Sequence, residues 1–356
     1  MTNTTLKNLF LDISEEEYRK LPHISYSKIS KFITKGPKSL LEPISKKKTQ
    51  AMILGSCFDT YLTDNEHILD KFFIGKEVLN DKQISIILDY FSLIEDNEEK
   101  NKELLLLLFQ KYDFNNNLKD ETKLKKFYSS EDVINYINAL KINNDLLYIT
   151  ESEYEFIKYK VNLLKTHPFT KNLFNTNNEI LYQVKVSSNN LGIKCMFDIL
   201  IIDHENKIIY PIDLKFMSST SKEFLRSFEK FNYYIQSSLY SNLLQYKLEK
   251  NEIPYRIEDF MFLIINQEDD IILKYIFKTE YDNETQSIII NNKTRKNWKY
   301  YVDLINWHLT NQVFDYSKED YENQGLIIIP STNNNSDNLN ITTYDTTTLP
   351  EGDFPY

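Results

Sequence analysis

Two apolar runs that meet at a four-residue polar break constrain this chain most. Residues 192–216 read GIKCMFDILIIDHENKIIYPIDLKF, and the break, His204, Glu205, Asn206 and Lys207, reads as the turn of a β-hairpin. With the turn centred between Glu205 and Asn206, positions whose numbers sum to 411 face each other, and Asp198 and Asp213 are such a pair. Directly opposed residues in an antiparallel pair have Cβ atoms about 4.5–5.5 Å apart, where like charges repel. Lys215, two residues beyond Asp213, projects from the same face of its strand. An Asp, Asp, Lys cluster on an apolar hairpin is costly to desolvate unless a cation or partner satisfies it. Mg²⁺ would do so: it takes carboxylate oxygens and keeps several waters, and a nearby ammonium can orient or help deprotonate one of them for attack on a phosphate. The triplet leaves an alternative open, in which Asp213 and Lys215 form an ordinary ion pair and Asp198 borders solvent at a strand end.

The rest of the chain supplies a setting for this hairpin. Residues 11–45 read as an entry segment and a helix, with Ser25 and Ser27 as candidate N-caps, apolar spacing at Ile29, Phe32 and Ile33, and Pro37 at the end. A second helix is expected from Thr49 to Leu62, and another from Glu151 to Leu164, before His167-Pro168. Residues 76–150 are rich in Lys, Asn, Glu and Leu and read as a helical insertion. Residues 179–216 have a three-strand texture. A helix from Lys222 to Lys247, a strand pair over Met261 to Phe277 and a helix through Trp298 and Trp307 follow. Residues 331–356 read as a polar, acidic tail. The expected fold class is α/β: a restriction-endonuclease-like core with a central mixed β-sheet flanked by helices, plus the insertion. Its segments are 1–75 (entry segment and helices of the core), 76–150 (insertion), 151–330 (core) and 331–356 (tail).

Composition excludes several classes. The six glycines never cluster, so neither a phosphate-binding Walker loop nor a dinucleotide fingerprint can be written. Two cysteines, Cys57 and Cys195, cannot supply a four-Cys zinc or iron–sulfur site, and they suggest a reducing, cytoplasmic compartment. The longest apolar run, Leu104 to Phe109, falls far short of the roughly 20 residues of a membrane span, so no membrane partner is expected. A net charge of −10 argues against indiscriminate coating of nucleic acid. That acidity is mostly peripheral: 76–150 carries 10 basic and 14 acidic residues, and 331–356 carries four acidic and no basic ones. Residues 28–48 hold seven lysines against Glu42 alone, and Lys28, Lys31, Lys35 and Lys38 are candidate phosphate contacts. Lys222, Arg226 and Lys230, and Lys293, Arg295, Lys296 and Lys299, could extend that patch.

Further residues join the hairpin. Glu179 opens the preceding strand and could supply a third oxygen ligand or merely cap the strand at the surface. Gln236 and Tyr240 lie one helical turn apart. Asp59, in GSCFD, places a carboxylate in an apolar helix. Together with the SEEEYRKLPHISYSKISKF opening, these motifs resemble, over roughly residues 11–310, the PD-(D/E)XK nuclease superfamily, in its RecB-like branch with RecE-type exonucleases and their phage relatives. Two positions depart from the pattern: Asp59 stands where the family has a metal-binding histidine, and Phe197 where it has proline.

The resemblance implies a Mg²⁺-dependent deoxyribonuclease, with Mn²⁺ as a possible substitute. Asp198 and Asp213, with Asp59 and Glu179, would be its ligands; Lys215 would position water, and Gln236 and Tyr240 would orient Lys215 or contact DNA. It further implies ATP-independent exonuclease action on linear duplex ends in recombination or phage DNA metabolism, feeding a single-strand annealing recombinase, in the host cytoplasm if phage-encoded, with an oligomer possible. The competing expectations are a decayed nuclease fold that binds DNA ends or protein, motivated by Asp59, and a restriction-like endonuclease.

Overall fold

The structure is a computed structural model and describes residues 6–42, 49–76, 78–95, 98–278 and 286–326. The chain folds as two compact units, Met1–Lys47 with Thr176–Tyr356, and Lys48–Asn175. The second unit therefore begins before and ends after the 76–150 stretch read as an insertion. It takes in two helices that the sequence reading assigned to the core.

In the first unit, α1 (Glu15–Lys20) starts at Ser14, whose side chain and that of Glu17 cap each other's backbone N–H. Helix α2 (Tyr26–Lys35) takes Ser25 rather than Ser27 as its N-cap and ends at Gly36, φ +73°, a left-handed conformation that glycine adopts without steric cost.

In the second unit, α3 (Gln50–Thr63) is capped by Thr49. Strand β1 (Phe72–Gly75) is followed by α4 (Asp81–Leu93), α5 (Glu98–Lys111), α6 (Asp120–Phe127) and α7 (Glu131–Ile142). Strand β2 (Leu147–Thr150) then pairs parallel with β1, and α8 (Glu151–Thr166) follows. The sequence reading held no strands here, because four-residue strands joined across some 70 residues leave no local alternation. Ile86, Ile87, Leu105, Phe109, Phe127, Val133, Tyr136 and Tyr148 form the unit's core. A Cβ at Gly75 would stand 2.0 Å from Tyr148 Oη, so only glycine lets that phenol cross the strand to donate to Asp132 Oδ2 at 2.9 Å.

Back in the first unit, β3 (Glu179–Ser188), β4 (Ile193–Asp203) and β5 (Ile208–Met217) form an antiparallel meander. The 203–207 turn is held by Asp203, whose carboxylate accepts the Asn206 N–H at 2.9 Å, and Lys207 sits at φ +55°. The chain then crosses over through α9 (Phe224–Lys230) and α10 (Tyr233–Lys250), past the two-residue β6 (Arg256–Ile257), to β7 (Phe260–Asn266), parallel to β5. Such a crossover is what a parallel pair requires. Strand β8 (Leu273–Phe277) pairs antiparallel with β7, which gives the sheet order β3-β4-β5-β7-β8 with β6 beside β5. The hairpin β9 (Ser287–Ile290) and β10 (Lys293–Lys296) and the helix α11 (Trp298–Asn311) complete the unit.

This is the expected α/β class with a central mixed sheet. The single helix expected over Lys222 to Lys247 is divided, because Asn232 takes a left-handed conformation at φ 55°, ψ 44°, which asparagine tolerates better than most residues. Helix α10 is buried nearly all round, and Ile235, Leu239 and Leu243 are fully enclosed against the sheet. A helix in such a setting holds its side chains in fixed positions. Among the described residues no helix is long and apolar enough to cross a membrane. Residues 331–356 lie outside the described residues.

Candidate functional site

The hairpin adopts the register expected from its turn. Ile199 faces Ile212, Leu200 faces Pro211 and Ile202 faces Ile209. The ladder stops one step before Asp198 and Asp213. There Asp198 Oδ2 accepts the Leu214 N–H at 2.8 Å, so one carboxylate caps the end of the pairing and lies across from the other. Beyond this point β5 pairs with β7, Asp213 opposite Phe262 and Lys215 opposite Ile264. Asp213 thus sits mid-sheet, 2% exposed.

Lys215 shares its face, and its Nζ lies 2.7 Å from Asp213 Oδ2. Helix α10 closes over the pair: Gln236 Nε2 donates to Asp213 Oδ1 at 2.5 Å, and Gln236 Oε1 accepts from Lys215 Nζ at 3.5 Å. One amide therefore satisfies both ions, which a buried pair needs if Coulomb attraction is to offset desolvation. Tyr233, three residues earlier on the same helical face, presents its ring 4.6 Å from Lys215 Nζ. Tyr26 of α2 donates its hydroxyl to Phe231 O at 2.6 Å and packs 6.3 Å from the Tyr233 ring.

Burial alone would push the Lys215 pKa down; Asp213, the Tyr233 phenol and Asp198 outweigh it and carry the pKa above the ordinary lysine range. The group is a fixed cation, fitted to orient a water or neutralise an oxyanion rather than to take a proton. Tyr240, one turn past Gln236, packs edge-on against Phe197 at 5.3 Å. Burial, reinforced by Tyr18, Cys195 and the two aspartates, drives its phenol well above the usual tyrosine range, so it stays protonated.

The donor set fits a hard divalent cation. Asp213 Oδ2 is buried and met by Lys215 Nζ at 2.7 Å; an ionised carboxylate oxygen has a second lone pair, which that one contact leaves for another electrophile. Among the described residues no group of three or more His, Cys, Asp or Glu side chains gathers to hold a metal. Two carboxylates are nevertheless what Mg²⁺ commonly takes from a protein, with water and substrate phosphate completing its shell.

Of the residues singled out in the sequence, Asp198, Asp213, Lys215, Gln236 and Tyr240 come together. Glu179 does not. It faces Ile202 across the β3–β4 ladder, four residues from Asp198 or about 13 Å along the strand. There it binds Lys7 at 2.8 Å and His204 at 2.8 Å. Symmetry about the β3–β4 turn assigns Gln183 to the position opposite Asp198, in the gap between the Tyr182–Ile199 and Val184–Phe197 pairs. Gln183 has φ +50°, the only described residue of β3 in the left-handed region. Asp59 falls on α3 in the second unit, where burial first, then Glu153 and Asp59, push the Cys57 thiol up to about 12.

The lysine patch is also changed. Lys31 and Lys35 share Glu42 at 3.1 and 3.6 Å, Lys38 meets Asp315 at 2.9 Å, and Lys28 is half-buried with its pKa lowered by that burial. Lys46, Lys47 and Lys48 lie outside the described residues. Lys194, unremarked in the sequence, donates to the carbonyls of Tyr18, Arg19 and Leu21 at 2.8–3.0 Å and fastens the end of α1 to β4. Burial, then the like charges of Arg19 and Lys28, lower its pKa to about 8.

Sequence signals existed for Tyr233, at helical spacing from Gln236, and for Gln183, through turn symmetry. None existed for Tyr26, which reaches the site through tertiary packing. No protein-family model matches the chain, and no curated protein matches it.

Proposed function

We propose that this chain is a divalent-metal-dependent deoxyribonuclease that hydrolyses phosphodiester bonds, acting as an ATP-independent exonuclease on linear duplex DNA. The observation that carries the reading is the buried Asp213–Lys215 pair, bridged by Gln236 and facing Asp198. A second carboxylate brought up to a buried, paired aspartate is repulsive, and a bound divalent cation would offset that repulsion.

Asp198 and Asp213 would hold Mg²⁺, which when bound supplies Lewis-acid polarisation of the phosphate and a more acidic water. Lys215, held cationic, donates hydrogen bonds to the attacking water and to the phosphate oxygen on which charge builds, preorganised so that no reorientation is needed as that charge develops. Gln236 restrains both Asp213 and Lys215. Tyr233 limits the ammonium's excursions, and the protonated Tyr240 offers a donor beside the carboxylates. Digestion of one strand would release nucleotides and leave the other as a single-stranded tail of the kind an annealing recombinase takes up.

The test is purified protein with linear duplex DNA and Mg²⁺ or Mn²⁺. Cleavage is expected, lost in Asp213→Ala and Lys215→Ala and absent on closed circles; wild-type inertness with both metals refutes the reading. Cutting of circles would instead identify an endonuclease. A second reading, a nuclease-derived DNA-binding module, is favoured by one observation: an amide, Gln183, stands opposite Asp198 where a carboxylate would strengthen metal binding. It predicts duplex binding that persists in EDTA without cleavage under any divalent metal.

A further inference from the structure

Resting on the nuclease reading, we infer that the outer face of α9 together with the β9–β10 hairpin is the surface that receives the phosphate backbone of duplex DNA. The basic stretch at 28–38 is not that surface, since three of its lysines already meet Glu42 or Asp315.

Lys222, Arg226 and Lys230 recur every four residues across α9 and the turn before it, and all three are exposed. Phe224 and Phe228 on the opposite side fasten the helix to the sheet, packing on Phe262 at 5.3 and 5.7 Å. The stripe is thus a rigid row of cations one helical turn apart. The hairpin continues it. Asn291 and Asn292, at φ +50° and +59°, make the tight turn that a two-residue hairpin needs. Asn291 Nδ2 donates to Glu229 Oε1 at 2.8 Å, which docks the turn on the last turn of α9. Lys293 follows two residues later, and Lys296, exposed, rests its ammonium 4.7 Å over the Tyr300 ring. Among the described residues none of these five cations has a carboxylate within ion-pair distance.

The two segments, 221–230 and 286–299, hold seven basic residues and two acidic ones, Glu223 and Glu229, and the second acid is occupied by Asn291. In a chain of net charge −10 this concentration of basic residues is local. A polyanion with regularly spaced charges is its complement. The stripe also runs into the segment that carries Tyr233: the Lys230 ammonium lies 5.2 Å over the Phe231 ring, which packs 5.7 Å from that of Tyr233. Lys230 precedes by three residues the Tyr233 that packs on Lys215, and Phe231 between them accepts the Tyr26 hydroxyl. A backbone lying along Lys222, Arg226 and Lys230 is therefore led toward Asp213 and Lys215.

The test is fluorescence anisotropy of a labelled blunt 30-base-pair duplex, titrated in EDTA over a range of salt so that no cleavage intervenes. In the triple variant Lys222→Ala/Arg226→Ala/Lys230→Ala the slope of log affinity against log salt should become shallower by roughly 3, since each lost phosphate contact removes about 0.9. Affinity at low salt should fall at least about tenfold. Lys293→Glu/Lys296→Glu, on a separate element, should weaken binding in the same sense, while Lys31→Ala/Lys35→Ala should keep affinity within about twofold of wild type. Circular dichroism and melting temperature verify the fold of each variant. Wild-type affinity and slope in the triple and hairpin variants, or no duplex binding by the wild type at low salt, overturns the proposal. Loss of binding in those variants, with no cleavage by the wild type under Mg²⁺ or Mn²⁺, leaves the surface standing and refutes the nuclease reading alone.

Discussion

Replacing Lys215 by methionine isolates the energetics of the site. The side chains of Lys215 and Asp213 are 17% and 3% exposed, with Nζ and Oδ2 2.7 Å apart. Methionine has a similar length and fills the space beneath Tyr233, so the main loss is the positive charge. Asp213 would remain buried with the Gln236 amide as its hydrogen-bond donor and the Asp198 carboxylate across the hairpin. Breaking a buried pair by removing one partner costs about 3–5 kcal/mol. The chain's two tryptophans, Trp298 and Trp307, both lie on α11 of the site-bearing unit, so their fluorescence in urea reports on it. With a urea dependence of about 2 kcal/mol per molar, the midpoint should fall by roughly 2 M. Adding Asp213→Asn to Lys215→Met should recover most of that loss, because the uncompensated charge is gone, and the double-mutant cycle should give a coupling of about 2–3 kcal/mol. Mg²⁺ offers a second arm: at about 100 times its dissociation constant it should stabilise the wild type by about 2.7 kcal/mol, an increment absent in Asp198→Asn and Asp213→Asn. A Lys215→Met protein within about 1 kcal/mol of wild type, or a cycle with no coupling, would refute the account of a compensated buried pair.

The other expectations are shorter. Tyr233→Phe should keep near-wild-type cleavage because its ring still faces the ammonium, whereas Tyr233→Leu should lower kcat several-fold with little change in KM, measured on linear duplex. Glu179→Gln should leave cleavage intact. Burial raises the Glu179 pKa, but Lys7 and His204 outweigh it and hold the carboxyl below its usual range. Its contribution is then present above the usual carboxylate pKa and lost as pH falls through the lowered one, so the glutamine variant should show a flatter acid limb in urea midpoint against pH. For Lys194 the direction is the same but the window is alkaline. With its folded pKa at about 8 and an unfolded value near 10.4, the unfolded chain binds the extra proton between them, and this group's contribution should rise with pH across that window, an increment missing in Lys194→Met. Gly75→Ala should destabilise the second unit by about 1–3 kcal/mol, read by far-ultraviolet circular dichroism in urea, because the new methyl would meet the Tyr148 hydroxyl.

The sequence by itself determined the heart of the candidate site. A symmetric turn and the two-residue period of a strand are local properties, so they were enough to set Asp198 across from Asp213 and Lys215 on the same face. Helical spacing likewise paired Gln236 with Tyr240. Glu179 shows where counting along the chain stops being informative: lying at the start of a strand does not say which end of the sheet a residue occupies, and only the β3–β4 register separates it from Asp198 and assigns Gln183 to that place. Lys31 and Lys35 meet Glu42, which lies close by in sequence, but Lys38 meets Asp315, and a charge partner brought near only by folding cannot be read from composition. The break at Asn232, the β1–β2 pairing and the arrival of Tyr26 beside Tyr233 depend in the same way on long-range packing. Tertiary structure alone decided which cations are neutralised, which remain open on α9 and the β9–β10 hairpin, and that the Asp213 carboxylate is buried between Gln236 and Lys215. Burial and pairing belong to the whole fold, whereas turn symmetry and periodicity belong to a few residues at a time.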